Sequence, residues 1–243
     1  MSLSIRLSRR HLLLLFGIML LPIRQGQAQT RDDDLARPTR LFLAKVIGAD
    51  REARKKHAIA VIEAADRTLD VVPDDLSVLM LKAAALGTAA RASSFSDSVS
   101  ERYGSRADNI IETLNEKLPD HPWTLTLSGL WNFEVVRRGG SIGAVMLGAS
   151  TEQGVKDLDR AMSLIGRSDP AISFAYAVVL LATDPEEHAD QARLMLRISS
   201  EVAARQDPED AIVRATTSAT VQFMVLLDKR DFDALEEMAV ESF

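Results

Sequence analysis

A recurring pairing of an acid with a proline cuts this chain into lengths that suit helices. The marks are Pro73-Asp74-Asp75, Pro119-Asp120-His121-Pro122, Asp169-Pro170, Asp184-Pro185-Glu186 and Asp207-Pro208-Glu209. A proline just inside a helix start costs little, because the N–H it lacks has no intrahelical partner there. The acids cap free N–H groups and suit the positive end of a helix. Each mark therefore reads as one helix stopping and the next starting.

Between the marks the apolar residues recur at helical spacing. Tyr103, Ala107, Ile110, Ile111, Leu114 and Leu118 form one stripe. Leu76, Leu79, Ala83, Leu86 and Ala90 form a second, and Val155, Leu158, Ala161, Met162 and Ile165 a third. Steps of three and four place such residues on one helix face. Ala171–Ala182 is apolar all round, as in a helix buried among neighbours. The pattern predicts helices over 36–48, 51–70, 74–92, 98–117, 121–137, 152–165, 170–182, 186–205, 209–228 and 231–241. With aromatic residues at only 5% and strand formers seldom alternating, the expected fold class is all-α.

Several second helices carry a further signature. Gly154, Leu158 and Ala161 follow the order small, large apolar, alanine, as do Ala58, Ile62 and Ala65. Ala107, Ile111 and Leu114 keep a proline five residues on, at Pro119, and Leu127-Ser128-Gly129 resembles a Leu-Gly step in a first helix. In these features the chain resembles the tetratricopeptide-repeat (TPR) family. The resemblance implies antiparallel helix pairs stacked as a TPR-like α-solenoid over 38–243. Pro73, Pro119, Pro170 and Pro208 do not keep a strict period, so repeat boundaries stay open.

The first 28 residues read as an export signal. Arg6, Arg9 and Arg10 precede an apolar run from Leu12 to Leu21, and Gly26 and Ala28 supply the small residues of a cleavage site. Ser8-Arg9-Arg10-His11-Leu12-Leu13 also resembles a twin-arginine signal, and the two routes are not separable from the sequence. The run is too short for a membrane-spanning helix, which needs about 20 apolar residues. The mature chain is thus expected to begin near Gln29, to lie in the periplasm or outside the cell, and to keep no stable membrane span. Residues 29–37 read as a flexible lead-in.

Removing the signal leaves 25 basic against 35 acidic residues, a net charge of −10. That argues against nucleic acid as the main partner, because phosphate binding needs a concentrated positive field. With no cysteine, the fold cannot lean on disulfides or thiolate metal sites.

Gly139-Gly140-Ser141-Ile142-Gly143 matches the Gly-x-Ser-x-Gly pattern of a hydrolase nucleophile elbow, with Asp169 and His188 following in triad order. The pattern works only on a sharp strand-to-helix turn. Here the surroundings read as helical, so no catalytic residue is assigned and the hydrolase stays a minor alternative. Arg137 and Arg138 suit the negative end of a helix that Gly139 stops. Residues 139–150 then form an insertion, with Ile142, Val145, Met146 and Leu147 in a short helix tucked against the array. His188, near Glu186, Glu187 and Asp190, lacks a second histidine at helical spacing, so neither metal nor cofactor is expected.

Trp123, Leu127 and Trp131 share a helix face and would be core or line a groove. With Arg137, Arg138, Ile142 and Met146 they are the candidate partner-binding residues. Stacked helix pairs commonly hold peptides or proteins, so the expected function is a non-enzymatic scaffold or adaptor for such a partner. The alternative is an accessory transporter subunit resembling the T component of tripartite transporters. Those usually carry a lipid-attachment cysteine, which this chain lacks.

Overall fold

Capping side chains set where most of the helices start. In the computed structural model, which describes residues 35–165 and 169–242, Asp50, Asp75, Asp169, Asp184, Asp210 and Asp231 each accept a hydrogen bond from a backbone N–H of the helix that follows. His121 and Ser94 do the same. Such a cap contributes about 1 kcal/mol. Pro122, Pro170 and Pro185 occupy the first helical positions, where a missing N–H is harmless.

The helices are α1 (35–46), α2 (Arg51–Leu69), α3 (Leu76–Ala92), α4 (Phe95–Ser100), α5 (Tyr103–Lys117), α6 (Pro122–Leu147), α7 (Thr151–Ile165), α8 (Pro170–Thr183), α9 (Pro185–Ala203), α10 (Ala211–Lys229) and α11 (Phe232–Val240). No strand occurs among the described residues, so the all-α class stands. None of their helices is long and apolar enough to cross a membrane. The proposed signal and the acids Asp32–Asp34 lie outside the described residues. Residues 35–37, expected at the end of a flexible lead-in, are helical, because the buried Ala36 joins the core.

Consecutive helices pack in pairs: α2 on α3, α6 on α7, and α8 on α9. Asp184 alone connects the last pair, ending α8 with its N–H on Leu180 O and capping α9 with its carboxylate. At the α6–α7 crossing, Gly129 and Gly154 let the backbones meet closely. The apolar helix α8 is buried from Pro170 to Ala182 and packs against α6, α7, α9, α10 and α11.

Three sequence expectations are corrected here. The helix predicted over 98–117 is two helices, broken where Arg102 takes a left-handed conformation (φ 55°). The stop expected at Gly139 falls one residue later. The helix breaks at Gly140 (φ 56°, ψ −155°), and a second helical stretch of α6 runs on to Leu147, so the insertion is mostly helix. The connection to α7 is the short turn 148–150, pinned by Asn132, whose Oδ1 accepts from Ser150 N at 2.9 Å. Nor does the stretch after the kink tuck against the array: Ile142, Val145 and Met146 are 74%, 84% and 79% exposed.

Candidate functional site

An apolar groove of about 350 Å³ opens between α4 and the kinked end of α6. Phe95 and Val99 of α4 line it together with Trp131, Val135, Met146 and Leu147 of α6. Phe95 and Val99 are 62% and 59% exposed. Ile142 and Val145 of the same helical stretch are exposed but do not line the groove. Contiguous exposed apolar surface marks interaction sites, because water disfavours it unless something covers it.

The local sequence builds this arrangement. Ser94 Oγ accepts from Asp97 N at 3.1 Å and starts α4, which turns Phe95 and Val99 into the groove. Gly104 lies beneath Trp131: a Cβ there would stand 3.3 Å from the indole Cη2. Trp131 Nε1 donates to Asp108 Oδ1 at 3.0 Å, which fixes the ring. The same indole, with Leu147, also borders a polar cleft of about 570 Å³ lined by Asp108, Glu112, Glu116, Ser128 and Asn132.

Charge around the groove is arginine-rich. Arg138 lines it and donates to Ala90 O and, at 3.4 Å, to Ser93 O. Arg51 Nε donates to Ala92 O at 3.0 Å. Two guanidinium groups thus close the negative end of α3, an arrangement the helix dipole favours. Burial pushes Arg138 and Arg91 below the ordinary arginine value, with the Glu134 carboxylate opposing. Glu134 is held by Arg137 through contacts of 2.8, 3.0 and 3.2 Å. Arg54 is buried, and its Nε and Nη1 make no hydrogen bond.

The predicted site residues separate into two groups. Trp131, Arg138 and Met146 meet at the groove, with Ile142 beyond its edge and Arg137 bound to Glu134. Trp123 and Leu127 do not reach it and are core. They line a small internal space with Trp131 itself, Leu43 of α1, Ala84 of α3 and Ala175 of α8. Trp123 Nε1 donates to the buried Asp169 at 3.1 Å. Residues of α1, α3 and α8 thus enclose the Trp123–Leu127 end of the stripe.

Ser141 sits on the exposed stretch just after the kink, with no strand before it among the described residues. The Asp169 carboxylate is engaged by Trp123 Nε1 and Ala171 N. The strand-turn-helix that Gly-x-Ser-x-Gly needs is therefore missing there. Among the described residues no three acids or histidines are grouped so as to hold a metal ion.

Phe95, Val99 and Arg102 were missed from sequence. The available signal was Ser94-Phe95-Ser96-Asp97, a capping pattern that starts a short helix ahead of the Tyr103 stripe. Compared with known proteins, the chain matches no family model, no curated protein and no solved structure.

Proposed function

We propose that this chain is an exported, TPR-like helical-repeat module that binds a protein or peptide partner through the groove between α4 and the end of α6. The observation that carries this reading is the apolar surface of Phe95, Val99, Met146 and Leu147, held on short helices and left uncovered by the rest of the fold. A chain that places a tryptophan against a glycine and fixes its indole with Asp108 has a rigid base for such contacts. Rigid anchors lower the entropy lost on binding. The extent of the surface favours a polypeptide over a small molecule, because Ile142 and Val145 lie outside the groove itself. The α6–α7 close approach at Gly129 and Gly154 supports the TPR-like part of the reading. Export rests on the Met1–Ala28 pattern.

Site-specific photocrosslinking in the native host tests it. A crosslinker at Val145 or Phe95 should capture a discrete partner, and Val99→Asp should abolish capture while leaving the melting temperature unchanged. A crosslinker at the exposed Lys56 is the control. Capture at Val145 no stronger than at Lys56 would sink the proposal.

A further inference from the structure

Backbone chemistry restricts what can occupy the groove. No strand edge exists among the described residues, so the protein offers no ladder of free N–H and C=O groups. An extended peptide pressed against Phe95, Val99 and Met146 would bury its own backbone groups unpaired, which costs about 1–3 kcal/mol each. A helix satisfies those groups internally and presents apolar side chains on one face.

Charge restricts it further. Arg102 lines the groove, is exposed, and has no ion-pair partner among the described residues. Its backbone is left-handed, and its side chain makes no cap hydrogen bond. Only glycine, asparagine and aspartate take that conformation readily, so arginine is a costly choice there. Arg230 shares the conformation, but its guanidinium lies 5.8 Å from the centre of the Phe232 ring and so has an internal use. Among the other charged groups lining the groove, Arg138 adds positive charge and Glu134 is neutralised by Arg137. Asp97 faces Lys55 at 3.8 Å, and neither it nor Glu101 lines the groove.

Resting on the reading of the groove as the partner site, we infer that its occupant is an amphipathic α-helix bearing an acidic residue beside its apolar stripe, which Arg102 selects by charge. The apolar face supplies affinity and the arginine supplies sign.

The test uses two fluorescent 18-residue helical peptides with the same leucine stripe. One is flanked by glutamates and its twin by lysines. Binding to the full chain is read by anisotropy at low salt. An exposed ion pair is worth about 0.7 kcal/mol, and exchanging it for repulsion doubles the difference to about 1.4 kcal/mol, so the glutamate peptide should bind roughly tenfold tighter. Arg102→Asn, which suits the left-handed backbone, should shrink the preference to about threefold or less. Arg102→Glu should reverse it. Equal binding of the twins, or a preference unchanged in Arg102→Asn, would overturn the inference while leaving the groove reading intact. If neither twin binds, or if Val99→Asp binds both as wild type does, the groove reading falls and takes this inference with it. Self-association that Val99→Asp abolishes, with no peptide binding, would assign the face to a second copy and also overturn it.

Discussion

Gly129 and Gly154 face each other across the α6–α7 crossing so closely that a Cβ on either would stand 3.0–3.1 Å from the carbonyl oxygen of the other. Those added carbons would also lie 2.6 Å from Leu158 Cγ and 2.7 Å from Phe133 Cδ2, respectively. Gly129→Ala and Gly154→Ala should each cost about 1–3 kcal/mol, the usual penalty of overpacking. Gly87→Ala in α3, where a Cβ meets nothing within 4 Å, should instead stabilise by about 0.5–1 kcal/mol. Urea unfolding of the three variants checks the contrast, and equal effects would contradict the crossing geometry.

Ala161→Asp should rank among the most damaging single changes. Ala161 is fully buried in α7 within the main core, where a carboxylate finds no water. An uncompensated buried charge costs several kcal/mol, against a total stability of roughly 5–15 kcal/mol. A melt within a few degrees of wild type would show that this position is not core.

Gly140→Ala probes the kink. Its φ of 56° with ψ of −155° is a region that residues with a Cβ avoid. The substitution should cost about 1–3 kcal/mol. It should also displace Met146 and Leu147 from the groove. Quenching of Trp131 fluorescence by acrylamide should rise relative to wild type, and unchanged quenching would separate the kink from the groove.

Asp75 makes stability depend on acid. The Ser77 hydroxyl and the N–H groups of Ser77 and Val78 hold its carboxyl below the ordinary aspartate value. A depressed folded-state value means that the contribution is complete above the unfolded-state value of about 3.9 and is lost as pH falls through the folded one. Asp75→Asn should therefore be less stable than wild type at neutral pH, by about 0.3–1 kcal/mol. The two should converge as pH falls below about 4. Paired thermal melts between neutrality and acid measure this.

Arg102→Asn should raise stability by about 0.5–1 kcal/mol, since asparagine accepts the left-handed backbone that arginine resists. Denaturant midpoints test it. A loss of stability would mean that the arginine side chain supports the fold.

Much of the helical order was legible because its signals are local. Asp169-Pro170 and Asp184-Pro185 predicted helix starts that the structure places at the prolines themselves. At Asp207-Pro208 the helix begins slightly later, with Asp210 as the cap. Near Gly139 the sequence located the break to within one residue. Two arginines before a glycine pair look like a helix end, and Gly140 breaks α6 there before helix resumes. Trp123 and Trp131 share a helix face and border the same internal space, but neighbours from α1, α3 and α8 cover the first and leave the second partly open toward the groove. That covering depends on contacts between distant segments, which periodicity cannot report. Arg102 was illegible for a related reason, since its significance lies in a backbone angle and in neighbours from α6.

The docking of α1 has a consequence for how the chain reaches its final state. Arg40 of α1 lies 3.5 Å from Asp169 and 3.7 Å from Asp210, residues 129 and 170 positions further along. The earliest described helix therefore cannot settle until nearly the whole chain exists. At a synthesis rate of about 5–20 residues per second, that delay is on the order of ten to thirty seconds. Contacts so remote in sequence also slow folding afterwards, because a long loop must close before they form. Throughout that interval the internal space beside Trp123 and Leu127 lacks the wall that Leu43 of α1 supplies. The docking of α1 is therefore a late step, a latch that closes on segments made long after it.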